Sequence, residues 1–188
     1  MFSTYLELGF DHILDLQGYD HIVFLIALCA AYRYDDWKNI LILVTAFTIG
    51  HSITLALSSL SIITVNADLI EILIPITILI TAILNLVTKP DPARKWRPNY
   101  FLALFFGFIH GMGFSNFFKA LLGKEAEIIG PLFAFNLGVE LGQICIVACI
   151  MVLNLLIVKL GKVDQRYWNF VVSIIALVLS IYMIIGKL

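Results

Sequence analysis

The stretch Gly9–Val23, which reads GFDHILDLQGYDHIV, contains one pattern twice: glycine, an aromatic residue, then Asp-His-Ile. The two copies stand nine residues apart, and the second leads directly into a long apolar run. An Asp-His pair at the start of a hydrophobic segment is expensive to place in lipid, so it needs a partner or a function. We therefore expect the other polar residues deep in the chain to lie close to this pair.

The composition of the whole chain is typical of a membrane protein. Of its 188 residues, 61% are hydrophobic and 13% are charged, and the mean hydropathy is +1.00. The formal net charge is -1, and Lys and Arg stand in short clusters between apolar runs, so no nucleic-acid partner is expected. The three cysteines lie inside apolar runs without a CxxC pair, which favours small core residues over a disulfide framework.

Apolar runs of roughly 20 residues predict membrane-spanning helices, and the sequence offers six. The predicted fold is all-α: a single membrane domain over residues 1–188 that forms a six-transmembrane-helix bundle. Residues 1–18 lack the features of a signal peptide and are expected to form a short amphipathic helix at one membrane surface. The six predicted helices cover about 20–34, 39–60, 68–88, 99–121, 128–160 and 167–186.

The distribution of basic residues predicts the orientation. Nine of the twelve Lys and Arg fall in the breaks after the first, third and fifth predicted helices. Loops rich in Lys and Arg stay on the cytoplasmic side of a membrane. Both termini are therefore expected to lie outside the cytoplasm.

Several polar side chains fall inside the predicted helices at a similar depth. At about 1.5 Å per residue, His51 lies about 18 Å and His110 about 16 Å from the cytoplasmic starts of their helices. Spacings of four and three residues put Asn136, Glu140 and Gln143 on one face of the fifth helix. The predicted orientation places further polar residues in the outer half of the bilayer: His21, Glu71, Asn136 and Glu140.

Three histidines on three helices, with carboxylates at similar depth, predict a site for a divalent transition metal. Neutral imidazole suits such ions, and a carboxylate compensates their charge in a low dielectric. Asp20 could bind the ion or orient a histidine ring. The simpler interpretation of His51 or His110 alone is a hydrogen bond across a helix interface.

His12, in the first copy of the pattern, has two interpretations. A histidine on a surface segment is as well explained by solvation as by metal binding. Nine residues at about 100° each would set His12 and His21 on opposite faces of one continuous helix. They converge only if the chain turns between them, and Gly18 is where it could turn.

Several motifs in fixed order resemble the HupE/UreJ family of bacterial membrane proteins. The resemblance covers nearly the whole chain, with Glu71 also matching, whereas Leu84 stands where relatives carry Glu. The motifs resemble a less characterised sister branch of the family. The family takes its name from accessory proteins of hydrogenase and urease, enzymes that need nickel. The matching motifs are residues 9–14 (GFDHIL), 18–21 (GYDH), 45–57 (TAFTIGHSITLAL), 106–114 (FGFIHGMGF) and 135–143 (FNLGVELGQ).

The resemblance implies a multi-pass protein of the bacterial inner membrane that carries nickel or cobalt. It implies two sets of metal ligands, of which the first is the stronger. The stronger set is Asp20, His21, His51, His110 and Glu140, and the weaker is His12, Glu71 and Asn136. Gln143 joins the weaker candidates because it shares a helix face with Asn136. The expected partners are the metal ion (Ni, Co or Zn) and the lipid bilayer, and a homo-oligomer is left open.

Two functions remain open at this stage. The first is a permease for a divalent metal ion, in which Asp11, Asp15 and Asp20 attract the cation at the outer side. Against it, the cytoplasmic halves of the fourth, fifth and sixth predicted helices contain almost no ionisable residue. The second is an intramembrane zinc-dependent hydrolase acting at the outer leaflet, with Glu140 or Asp20 as general base. Haem held by two histidines is a third and weaker interpretation, because glycines and carboxylates suit a small cation better than a porphyrin.

Overall fold

The computed structural model describes residues 2–88, 99–122 and 128–187, apart from the side chain of residue 99. Within these ranges the regular secondary structure is all helical, with seven α-helices and no strand. Five basic residues used to predict the orientation lie outside the described ranges: Lys89, Arg94, Lys95, Arg97 and Lys124. The helices are α1 (Phe2–Leu14), α2 (Asp20–Ala30), α3 (Trp37–Ser59), α4 (Ala67–Val87), α5 (Asn99–Leu122), α6 (Ile129–Asn154) and α7 (Gln165–Ile185), and α6 continues as a π-helical stretch, Leu155–Leu160.

Five of these helices, α3 to α7, are long and apolar enough to cross a membrane. Helix α2 is apolar but has only 11 residues, and it ends at Ala30 rather than near residue 34, where the sequence suggested an end. Beyond this end, side chains from other helices form hydrogen bonds with the backbone. Gln165 donates to the carbonyls of Ala30 (3.3 Å) and Tyr32 (2.9 Å). The backbone N–H of Tyr34 donates to Asn154 Oδ1 at 3.0 Å, so the chain leaves the helix without losing its hydrogen bonds.

Helices α1 and α2 are separated by a turn over residues 15–19. Asp15 Oδ1 accepts a hydrogen bond from the backbone N–H of Gln17 at 2.8 Å, a short-range bond that competes with continuing the helix. The turn contains Gly18, where the sequence allowed one. It redirects the chain so that the second Asp-His pair opens a new helix.

The two short helices follow one path through the bundle in succession. Helix α1 starts at the end of the bundle where α5 finishes, with the Tyr5 ring packed on Phe118 at 6.1 Å between centroids. Its last turn brings His12 against Phe114, one helical turn deeper along α5. Helix α2 continues to the opposite end, where the Ala30 carbonyl accepts from the first residue of α7.

Glycines allow backbone contact between two pairs of helices. A Cβ atom on Gly107 of α5 would lie 2.2 Å from the carbonyl oxygen of Phe47 on α3. A Cβ atom on Gly138 of α6 would lie 2.0 Å from the carbonyl oxygen of Leu6 on α1. Only glycine fits at such approaches, and small residues at helix interfaces are how membrane helices pack closely. Helix α1 is therefore docked firmly on α6.

Candidate metal centre

The four histidines of the sequence meet inside the bundle, each on a different helix: His12 on α1, His21 on α2, His51 on α3 and His110 on α5. The His21 ring centroid lies 4.7 Å from that of His12, 5.1 Å from that of His110 and 6.4 Å from that of His51. His12, His21 and His51 each offer one nitrogen such that all three atoms lie within 4.8 Å of one another. We call these four residues the histidine cluster.

Within the cluster, the Nε2 atoms of all four imidazoles are buried and have no hydrogen-bond partner. A buried polar atom left without a partner costs about 1–3 kcal/mol. Four such atoms on neighbouring rings are therefore an expensive arrangement for a purely structural core. The cost is offset if the atoms share a ligand that accepts several nitrogen lone pairs.

The opposite ring nitrogens of two histidines are held by oxygen acceptors. His110 Nδ1 lies 2.9 Å from the carbonyl oxygen of Phe106, and His51 Nδ1 lies 3.5 Å from Asn136 Oδ1. An N–H donated from Nδ1 leaves the lone pair on Nε2. Metal-binding histidines in proteins typically donate their other ring N–H to a carbonyl or carboxylate in this way.

Asp20 lies beside His21 at the start of α2. Its Oδ1 atom is 3.0 Å from His21 Nδ1 and accepts the backbone N–H of His21 at 2.8 Å. The 3.0 Å contact lacks the angle of a hydrogen bond, so neither ring nitrogen of His21 has such a partner. The carboxylate is placed to compensate a positive charge at the cluster and to orient the ring.

Aromatic rings enclose the histidine cluster. The Phe114 ring centroid lies 3.9 Å from that of His12. His51 stacks between Phe47 and Phe135, at 6.1 and 6.4 Å. His110 packs on Phe24 at 5.3 Å. His21, His51 and His110 are at most 5% exposed, so these three rings are screened from water, whereas His12 is partly exposed.

Glu140 and Gln143, two further expected ligands, are hydrogen-bonded to threonines of α3. Glu140 accepts a hydrogen bond from Thr45 at 2.9 Å and is not among the ligand atoms that lie mutually close. Gln143 accepts from Thr48 at 2.8 Å. Both pairs bridge α3 and α6, next to the contact between His51 and Asn136.

Glu71 lies apart from these pairs, at the start of α4. Its carboxylate is paired with Lys187 Nζ at 2.6 Å, and both side chains are about half exposed. The pair ties the chain's last helix to α4. Nothing in this contact suggests a metal ligand.

Sequence reasoning ranked His12 below the other histidines, although it belongs to the three whose nitrogens lie closest together. The turn over residues 15–19 makes this possible. The reasoning also missed the enclosing phenylalanines, for which a signal exists. Phe47 stands four residues before His51 and Phe114 four residues after His110, so each lies one helical turn from a histidine.

These features define a polytopic helical membrane protein with a buried cluster of histidines. The family model described as HupE / UreJ protein matches residues 1–186, essentially the whole chain. The chain belongs to the HupE/UreJ family, which confirms the resemblance noted in its motifs and implies handling of a metal such as nickel or cobalt. Comparisons with curated proteins and with solved structures found no match.

Proposed function

We propose that this protein is a permease for a divalent transition-metal ion of the nickel or cobalt type, in the bacterial inner membrane. The observation that carries the proposal is the group of four neighbouring histidine rings from four helices, each with a buried, unpartnered Nε2 atom. One metal ion would satisfy several of them at once. The metal is the substrate, and His12, His21, His51 and His110 would hold it during passage.

The charge of the site supports transport over permanent storage. Neutral imidazoles suit nickel, cobalt, copper and zinc by ligand type. Asp20 is the one carboxylate in contact with a histidine among residues 2–88, 99–122 and 128–187. A permeant ion must bind well enough to enter and weakly enough to leave. A site with little charge compensation meets that requirement.

We further propose six crossings, with α1 and α2 forming the first in series. Their 13 and 11 residues give lengths of about 20 Å and about 16 Å, each too short for a hydrocarbon core of about 30 Å. Placed end to end around the turn at residues 15–19, the two helices together are long enough to cross the hydrocarbon core. This position of α1 replaces the surface position suggested by its amphipathic sequence.

With six crossings, both termini lie on one side, which the distribution of Lys and Arg assigns to the outside. His51 lies eight residues before the end of α3, or about 12 Å. The histidine cluster then falls in the outer half of the bilayer, at the break between α1 and α2.

The hydrolase alternative gains no support from the geometry. A hydrolytic zinc site needs a general base beside the metal-bound water. Of the two candidate bases, Glu140 is hydrogen-bonded to Thr45 and does not join the histidine group. The other, Asp20, lies 3.0 Å from His21 Nδ1, where it compensates charge and orients the ring. No second function is proposed.

The proposal is tested by nickel and cobalt uptake into proteoliposomes, paired with metal analysis of the purified protein. His21→Ala and His51→Ala are each expected to abolish uptake, because each removes a nitrogen from the cluster. Ser180→Ala is the control, since that buried hydroxyl donates only to the Leu177 carbonyl within α7. Normal uptake in both histidine variants, or tightly bound stoichiometric zinc without flux, would overturn the permease.

A further inference from the structure

An open cleft of about 700 Å³ lies beside the turn that separates α1 from α2. Its walls are the last turns of α1, residues 15–17 and two phenylalanines of α5, Phe114 and Phe117. Six water molecules at about 30 Å³ each would fill only a fraction of this space. The cleft is therefore large enough for a metal ion with its hydration shell.

One wall of the cleft is acidic. Asp11 and Asp15 both line it, both are exposed, and neither forms an ion pair in the part of the chain that the structure describes. The first 32 residues contain no Lys or Arg that would neutralise them. The C-terminal end of α1, which also faces the cleft, carries the negative end of the helix dipole.

His12 is the member of the histidine cluster that also lines the cleft. Its side chain lines the cleft, while its Nε2 atom is buried and without a hydrogen-bond partner. The ring lies 4.7 Å from the His21 ring between centroids. An ion in the cleft is thus one imidazole away from the other three histidines.

We propose that this cleft is a second cation site, in which Asp11 and Asp15 collect a hydrated divalent metal ion and pass it to His12. This inference rests on the proposed function, because it names the outer access route of the same permease. Carboxylates suit a cation that still holds water, whereas the buried imidazoles suit one that has lost it. The order along the chain, with Asp11 and Asp15 on either side of His12, places the exchange of water for nitrogen at His12.

Charge-neutral variants test the site through transport. We expect Asp11→Asn combined with Asp15→Asn to raise the KM for nickel uptake about tenfold at low ionic strength, with the maximal rate retained. The difference should shrink as salt screens the exposed carboxylates. Glu7→Gln is the matched control, an exposed acid of α1 that does not line the cleft. A double variant that behaves like Glu7→Gln would overturn the inference.

A second measurement does not depend on transport. Leu16, which is 80% exposed at the cleft, is replaced by Cys in a protein whose Cys29, Cys145 and Cys149 are changed to Ala. Membrane-impermeant thiol reagents of equal size, one cationic and one neutral, are then compared in labelling rate. We expect faster labelling by the cationic reagent, with a preference lost in the Asp11→Asn/Asp15→Asn background and kept with Glu7→Gln.

The two measurements separate the two claims. No metal flux in the unaltered protein, together with preferred cationic labelling, would refute the permease and leave a cation-attracting cleft. Flux with no labelling at residue 16, or with equal labelling by both reagents, would overturn the cleft and leave the permease.

Discussion

At the scale of single residues, the bond made by Nδ1 decides which nitrogen of a histidine is free to bind a metal. Asn136 and the Phe106 carbonyl each stand beside an Nδ1 atom, of His51 and His110 respectively. In both rings the Nε2 atom is buried without a hydrogen-bond partner. Asn136 is therefore a positioning residue in our account, not a ligand, although the sequence placed it among the weaker ligand candidates.

Asn136→Leu removes the acceptor beside His51 and should weaken binding of nickel or cobalt about 10- to 100-fold. Asn136→Asp keeps an oxygen in the same place and should bind metal at least as well as the unaltered protein. Calorimetric titration in detergent measures both. Equal affinity in the Leu variant and the unaltered protein would show that Asn136 does not orient the ring.

Some positions in the site can be predicted from the sequence and others cannot. The similar depths of His51 and His110 follow from helical rise alone, because their helices are continuous and long. The contact between His12 and His21 does not, since it depends on where one helix ends. The position of Glu140 against Thr45 depends on the rotation of α6 against α3, which spacing within one helix cannot fix.

At the scale of elements, the N-terminal part of the chain consists of two short helices held by different neighbours. Helix α1 is docked on α6 through glycine contacts, and α2 is tied to α4 by Asn85, which donates to the Ala27 carbonyl at 2.7 Å. The histidine cluster lies where the two helices separate. Hydrophobicity alone predicts one spanning helix here, from about residue 20, because it registers the apolar run of α2. It does not register that α1 packs on α6.

Gly138→Ala tests whether the docking of α1 positions His12. The added Cβ would lie 2.0 Å from the Leu6 carbonyl oxygen, so α1 must shift. Overpacking of this kind typically costs about 1–3 kcal/mol, and we expect a lower melting temperature together with weaker metal binding. The matched control is Gly130→Ala, because a Cβ there meets nothing within 4 Å. Unchanged melting and unchanged affinity in Gly138→Ala would contradict a fixed α1.

At the scale of the whole molecule, our account requires an even number of crossings. The five long helices alone would leave the two ends of the bundle on opposite sides of the membrane. The ion pair between Lys187 and Glu71 places the end of α7 beside the start of α4. Counting α1 and α2 as one crossing brings the N-terminus to that same side.

The topology is measured by attaching a reporter that is active only outside the cytoplasm, such as alkaline phosphatase, after residue 188. We expect an active reporter there and an inactive one when it is attached within residues 161–164, between α6 and α7. A short epitope before residue 2 should be reached by antibody from the outer side. Opposite locations of the two termini would exclude a first crossing made of α1 and α2.

The central claim is that the histidine cluster binds the metal, and X-ray absorption spectroscopy of the nickel- or cobalt-loaded protein tests it most directly. We predict a coordination sphere dominated by imidazole nitrogen, with fewer imidazoles in His12→Ala and in His110→Ala. A sphere made only of oxygen or sulfur ligands, or one unchanged in both variants, would contradict the account.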